Sequence, residues 1–134
     1  MHLSDMNPII RFSALISCIL LVYGLFHHGA QPMAVGLFAP PVDKIAHAAV
    51  FGLMAVMLWL ALNRQRPFLI ILLVVLTGAA DEIHQLFLPG RSADMSDWIA
   101  DITGACLTVI ALMTSKNKPR AQAPAPGENW LFIR

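Results

Sequence analysis

Residues 67–91 read PFLIILLVVLTGAADEIHQLFLPGR, a long apolar run that ends in a dense group of polar side chains. About 18–21 apolar residues are enough for a helix to cross the hydrocarbon core of a bilayer, which is roughly 30 Å thick. Inside lipid the backbone has to satisfy its own hydrogen bonds, so the segment is expected to be helical. The stretch therefore predicts a transmembrane helix with charged and amide groups at one end.

Three further segments of this kind are present, and the composition of the whole chain agrees with them. Of 134 residues, 57% are apolar and only 13% are charged, which is typical of a membrane protein and not of a soluble domain. The four predicted spans are residues 9–26, 43–62, 67–87 and 97–113. The sequence therefore predicts an all-α fold, an integral membrane four-helix bundle.

Local signals mark the ends of these spans. Asn7 followed by Pro8 is typical of an N-cap and the first helical residue. Residues 89–90, Pro-Gly, are expected to end the third helix and turn the chain. Either Asp94 or Ser96 is expected to cap the fourth helix.

Lysine and arginine residues are divided unequally between the two sides of the predicted bundle. Seven lie on one side and two on the other: Arg11, Arg64, Arg66, Lys116, Lys118, Arg120 and Arg134 against Lys44 and Arg91. Cytoplasmic loops carry the excess of positive charge, so both termini are predicted to be cytoplasmic. We expect a bacterial inner-membrane protein with a cytoplasmic N-terminus at 1–8, a membrane domain at 9–114 and a flexible cytoplasmic tail at 115–134.

Polar side chains concentrate at the opposite end, which would face the periplasm or the cell exterior. Six of the eight acidic residues lie there, among other polar groups: Asp43, Asp81, Glu82, Asp94, Asp97 and Asp101, with Lys44, His47, His84, Gln85 and Arg91. On the third helix the polar groups share one side, at 3.6 residues per turn. A lone Asp facing lipid costs about 2.5–3.5 kcal/mol. We therefore predict that these side chains converge around a hydrated pocket.

Small residues continue the polar stripe inward on the fourth helix. Asp97, Asp101, Gly104 and Thr108 follow helical spacing along one face. Small residues allow a neighbouring helix to approach closely, and Ala48 and Gly52 of the second helix are expected to do the same. The faces that carry charge are therefore predicted to be the faces that pack.

The predicted site has a net negative charge that something must compensate. Six carboxylates against Lys44 and Arg91 leave about −4, and such crowding raises carboxyl pKa values. Protons, a histidinium or a bound divalent cation would each compensate, and the candidate metal ligands are His47, Glu82, Asp97 and Asp101. The candidate ligand-binding residues are Lys44, His47, Glu82, Gln85, Arg91, Asp97 and Asp101. No catalytic residue is assigned.

Three motifs resemble those of the VanZ-like family of integral membrane proteins. They are D-K-x-x-H-x-x-x-F at residues 43–51, E-x-x-Q-x-F-x-P-G-R at 82–91 and D-x-x-x-D-x-x-G at 97–104, within a resemblance that covers about 43–111. The family usually has Asn where this chain has Asp101, which puts an amide-donor role there in doubt. The resemblance implies a four-helix membrane protein and, because some members are associated with resistance to glycopeptide antibiotics such as teicoplanin, a link to the cell envelope. It implies no particular reaction.

Three functions are consistent with these features. The first is binding of a lipid headgroup or a lipid-linked envelope precursor, with Arg91 gripping a phosphate or carboxylate and a role in glycopeptide resistance or envelope homeostasis. The second is a metal-dependent membrane enzyme acting on a lipid-linked envelope precursor. The third is a non-catalytic scaffold. The expected partners are membrane lipids and not nucleic acid, a homo-oligomer is left open, and His27 and His28 are interpreted as structural.

Overall fold

The computed structural model describes residues 6–39 and 41–116, and these residues contain four α-helices. They are α1 at Pro8–Gly29, α2 at Val42–Ala61, α3 at Pro67–Gln85 and α4 at Met95–Lys116, with a short 3-10 helix at Pro32–Ala34 between α1 and α2. The predicted all-helical fold is thereby confirmed. The predicted tail beyond residue 116 lies outside the described residues.

All four helices are long and apolar enough to cross a membrane. Their outer faces carry large apolar side chains such as Ile9, Phe68 and Leu107, which are exposed on the isolated chain. In water such a surface would be unfavourable, whereas in a bilayer it contacts acyl chains. The protein is therefore a multi-pass membrane protein.

The helix ends follow the local signals in the sequence. The side chain of Asn7 accepts a hydrogen bond from the backbone N–H of Ile9 at 2.8 Å, and Pro8 begins α1. Asp94 caps α4 by accepting from both the backbone N–H and the hydroxyl of Ser96. α3 ends at Gln85, and the chain then turns through residues 89–90, where the glycine has φ +76°.

α2 and α4 form the most extensive helix contact of the described bundle, and small residues allow them to approach closely. A Cβ atom placed on Gly104 would lie 2.7 Å from the Cα atom of Ala48, against the backbone of α2. One placed on Gly52 would lie 2.9 Å from the hydroxyl of Thr108. The predicted coincidence of charged and packing faces is thus confirmed along α2 and α4.

The core is built mainly from α2, which packs against the other three helices. Phe51, Ala55 and Trp59 are buried on α2, where they meet buried aliphatic residues of α3 and α4. α1 is peripheral, and its buried residues are Ala14 and Cys18. Cys18 packs as a small apolar side chain, as its position in an apolar run predicts.

The first half of α1 is also tied to the end of α2. The guanidinium Nε of Arg11 donates to the carbonyl oxygen of Ala61 at 3.2 Å, and the backbone N–H of Met6 donates to Asn63 at 2.7 Å. Arg66, which precedes α3, has φ +60° in the tight turn that follows. The basic residues of α1 and of this turn therefore lie at one end of the bundle. Lys44 and Arg91 lie at the other end, called the polar end below.

Candidate functional site

Lys44 is the centre of charge at the polar end. Its ammonium Nζ lies 2.7 Å from Asp94, 2.5 Å from Asp97 and 3.2 Å from Asp43. The three carboxylates come from α2, from the loop before α4 and from α4 itself. A single positive charge therefore connects the start of α2 to the start of α4, and the neighbourhood keeps an excess of negative charge.

His47 lies one helical turn below Asp43 and links the surface of the site to its interior. Its Nδ1 is 2.9 Å from Oδ1 of Asp101, and its Nε2 is 3.8 Å from Oδ2 of Asp97. Asp101 is completely buried, with 0% of its surface exposed. Its carboxylate therefore fixes the orientation of the imidazole ring. The other ring nitrogen, Nε2, points towards Asp97.

Two further acidic residues are buried on the inner face of α3. The amide of Gln85 donates to Asp81 at 2.9 Å, one helical turn apart. Glu82 accepts from the backbone N–H of Asp94 at 2.6 Å and so holds the loop that leads into α4. Indole Nε1 of Trp98 donates to the backbone carbonyl of Val75 at 3.0 Å, which joins α4 itself to α3. The predicted polar side of α3 therefore faces its neighbours, while Ile83 and Leu86 face outward.

Two buried carboxylate oxygens have no hydrogen-bond partner among the described residues, namely Oε1 of Glu82 and Oδ2 of Asp101. Leaving a buried polar atom unsatisfied costs about 1–3 kcal/mol, and more if it is charged. The polar end therefore carries a local energetic cost that the other contacts of the bundle have to offset. Such a cost is common at functional sites.

The described residues include no group of three His, Cys, Asp or Glu side chains arranged to hold a metal ion. Of the four candidate ligands, Asp101 is bound to His47 and one oxygen of Glu82 is bound to a backbone N–H. The cation hypothesis gains no support from this arrangement and stays a prediction.

A cavity of about 830 Å³ opens at the polar end. Its charged wall includes His47, Gln85, Arg91 and Asp97, together with Asp43 and Asp94. Its apolar wall is formed by the second half of α1, the connection to α2, and α2 residues as deep as Phe51. The volume lies in the range of about 300–1,000 Å³ typical of small-molecule sites.

Arg91 closes the cavity from the loop after α3. Its guanidinium donates to the backbone carbonyl of Ala34 at 3.1 Å, which joins the two loops at the polar end. A guanidinium has five N–H donors. Within the described part of the chain a single bond from one terminal nitrogen is formed, so Arg91 retains donors for an anionic group.

The seven predicted ligand-binding residues all lie at the polar end but differ in their access to the cavity. Four of them line it: His47, Gln85, Arg91 and Asp97. Lys44, Glu82 and Asp101 lie behind this wall and bind the residues that form it.

Sequence reasoning missed the contribution of the α1–α2 connection. Residues 31 and 33–38 line the cavity, as does His28, which the sequence analysis interpreted as structural. This segment has no helical periodicity and no charged residue. The sequence does show several apolar residues in this loop. Such residues in a loop mark a binding surface or a membrane contact, and they could have indicated its role.

Asp94 gives the site a testable pH dependence. The ammonium of Lys44 and the hydroxyl and N–H of Ser96 hold the pKa of the Asp94 carboxyl well below its usual range. A lowered pKa in the folded state stabilises the protein above the ordinary aspartate pKa, and this stabilisation is lost as the pH falls towards the folded-state pKa.

We therefore expect Asp94→Asn to lower the melting temperature of the detergent-solubilised protein at neutral pH. Asparagine can still cap a helix, so the difference from wild type reports the charge. The difference should be constant down to about pH 5 and should shrink at lower pH, as Asp94 of the wild type becomes protonated. A difference that grows on acidification would contradict this assignment.

Comparison with known proteins assigns the chain to a family. Searches of curated proteins and of solved structures found no match. The VanZ/LLP1 family model matches residues 4–116, which include all three motifs of the polar end and α1 as well. Because the match covers most of the 134 residues, the chain belongs to the VanZ/LLP1 family.

Proposed function

We propose that the protein binds the polar headgroup of a membrane lipid or of a lipid-linked envelope precursor in the cavity at the polar end. The observation that carries this proposal is the cavity itself, whose wall is charged on one side and apolar on the other. Such a site suits a molecule with both characters. In a bilayer, the ends of transmembrane helices lie at the depth of lipid headgroups.

The charged wall suits a headgroup that contains an anionic phosphate or carboxylate. Arg91 can bind such a group with two parallel N–H donors. Nε2 of His47 is a second donor when the ring is protonated. The carboxylates of Asp43 and Asp97 border the same cavity and can accept from an amine of the headgroup. The excess of positive residues at the opposite end predicts that this site faces the periplasm or the cell exterior.

Arg91→Gln tests this proposal. We expect the variant to remain folded and to lose at least about 90% of a selectively bound lipid, since a charge-assisted bond contributes about 1.5–3 kcal/mol. The measurement is mass spectrometry of lipids retained when the protein is extracted into polymer nanodiscs, relative to the lipids of the bulk membrane.

Arg66→Gln is the matched control because it removes the same charge at the other end of the bundle, where the side chain is exposed. It should leave the retained lipids unchanged. If wild type retains no lipid selectively, or if the two variants behave alike, headgroup binding at this cavity is wrong.

A purely structural role is the second candidate function. It is favoured by the number of bonds between helices that the polar groups form, above all the contacts of Lys44 and His47 with α4. On this reading, variants of the polar end lose stability and bind the same lipids for as long as they remain folded. A folded Arg91→Gln protein with altered lipid retention would exclude it.

The enzyme hypothesis requires a water molecule activated by a metal ion, because no serine or cysteine of the sequence has an evident base at motif spacing. The described residues show no preformed ligand group for that ion. It therefore stands as a prediction without a supporting contact.

A further inference from the structure

We propose that the ligand is an amphiphile with a hydrocarbon chain, and that it enters the cavity sideways from the bilayer through the cleft between α2 and the second half of α1. This inference rests on the headgroup-binding function proposed above and specifies the class of ligand. A soluble phosphate or sugar would instead enter from the aqueous side and would not use the cleft.

The first argument is the way in which α1 is attached. Its buried residues, Ala14 and Cys18, belong to its first half, and the hydrogen bonds of Met6 and Arg11 hold the same end. From Gly24 onward the helix lines the cavity. Leu21 and Val22 also pack, partly buried, against the core, and the ring of Phe26 lies 5.2 Å from the ring of His84 on α3. α1 is therefore held at the basic end and against α3, and the cavity lies between its last turns and α2.

The second argument is the depth of the cavity. Its wall runs along α2 from Asp43 to Phe51, which are eight residues apart and so about 12 Å apart along the helix axis. The upper part carries Asp43 and His47, whereas the lower part consists of Leu25, Val50 and Phe51. The polarity of the wall thus changes along the axis of the bundle in the same sense as a lipid changes from headgroup to chain.

The third argument is the space beside Gly24. A Cβ atom on this residue would meet one neighbouring side-chain atom within 4 Å, Cδ2 of His28 at 3.9 Å on the same helix. No atom of α2 lies that close. The side of α1 that lines the cavity therefore leaves room at Gly24.

The fourth argument is the apolar rim of the cavity. Met33, Leu37 and Phe38 line the cavity and are also exposed, Met33 to 82%. Exposed apolar residues grouped at a cavity mouth mark a binding site or a membrane contact. They lie at the polar end of the bundle, where they suit contact with the membrane interface beside the proposed entrance.

Gly24→Trp tests the proposal by filling the cleft. The probes are dioleoyl phosphatidate and glycerol 3-phosphate, which share a phosphate monoester and differ in their acyl chains. We expect detergent-solubilised wild type to bind the phosphatidate at least about tenfold more tightly, and the variant to lose at least about tenfold in phosphatidate affinity with little change for glycerol 3-phosphate. Leu20→Trp is the control, because Leu20 is exposed on α1 and does not line the cavity.

Each other result has a definite meaning. Equal binding of both probes by wild type would overturn lateral entry while leaving the headgroup site intact. Unchanged phosphatidate affinity in folded Gly24→Trp would also overturn it. If wild type binds neither probe, phosphate-headgroup recognition fails and this inference fails with it. Gly24→Phe is a second variant in case the tryptophan prevents folding, and the comparison of probes on wild type requires no variant.

Discussion

Gly104→Ala is expected to prevent the four helices from assembling as they do in the wild type. The new methyl group would lie against the carbonyl group and the Cα atom of Ala48, which are backbone atoms that cannot rotate away. Overpacking a close contact commonly costs about 1–3 kcal/mol. Because the neighbouring atoms here belong to the backbone, the cost of this substitution should reach or exceed the upper limit of that range. We expect at least about 3 kcal/mol of destabilisation, measured as a fall in melting temperature and in the monodisperse fraction after detergent extraction.

Gly24→Ala is the matched control on α1. The added methyl group has space there, and replacing a glycine inside a helix by alanine stabilises it by about 0.5–1 kcal/mol. The same chemical change should therefore have opposite signs at the two positions. If Gly104→Ala melts like the wild type, the approach of α2 to α4 at Ala48 is not as close as the structure describes.

This contrast shows how far the sequence predicts the packing. Helical spacing placed Gly104 and Thr108 on the same stripe as Asp97 and Asp101, and it identified Ala48 and Gly52 as small residues of α2. A stripe gives the face that packs, since its period follows from 3.6 residues per turn. It does not give the vertical register of two helices. The contact of Gly104 with Ala48 therefore appears only in the folded structure.

At the polar end, too, the sequence predicted which side chains face inward but not all of the contacts that they make. The periodicity of α3 predicted correctly that Asp81, Glu82 and Gln85 face the interior, because exposing them to lipid would be costly. Asp81 and Gln85 bond each other one helical turn apart, as their spacing allows. The partner of Glu82, the backbone N–H of Asp94, depends on the path of the loop, which no periodic pattern determines. Asp94 or Ser96 was predicted to cap the fourth helix, and Asp43 was predicted to belong to the polar group. Asp94 is a cap, and both residues also bind Lys44.

The cavity is the feature that the sequence predicts least. One of its walls comes from residues 31–38, a segment without charge or periodicity, and it acquires a role only because α1 and α2 bring it over the polar end. Arg91 shows the same dependence on tertiary structure. Its motif predicts a turn, whereas its bond to Ala34 connects two loops that are far apart in sequence.

Lys44→Met is expected to be the most damaging loss of a charge at the polar end. The ammonium is the cation nearest to Asp43, Asp94 and Asp97, and without it their carboxylates repel one another. Removing one partner of a buried ion pair costs about 3–5 kcal/mol, but the Lys44 side chain is 27% exposed. Discounting for that exposure, we expect about 2–3 kcal/mol of destabilisation. Thermal melts in detergent, compared with Ile45→Met on the neighbouring outward-facing residue, measure it.

The double variant Lys44→Met with Asp97→Asn separates lost attraction from uncompensated repulsion. Asp97 is the partner closest to Lys44 and is 13% exposed, so its charge is the most costly to leave unpaired. Adding Asp97→Asn to Lys44→Met should restore at least about 1 kcal/mol of the free energy of unfolding that Lys44→Met removes. Such non-additivity is typical of residues in direct contact. Adding Asp94→Asn instead should recover less, because that carboxylate is 47% exposed and better screened. Equal recovery from both would mean that the α2–α4 connection runs through the loop as much as through the first turn of α4.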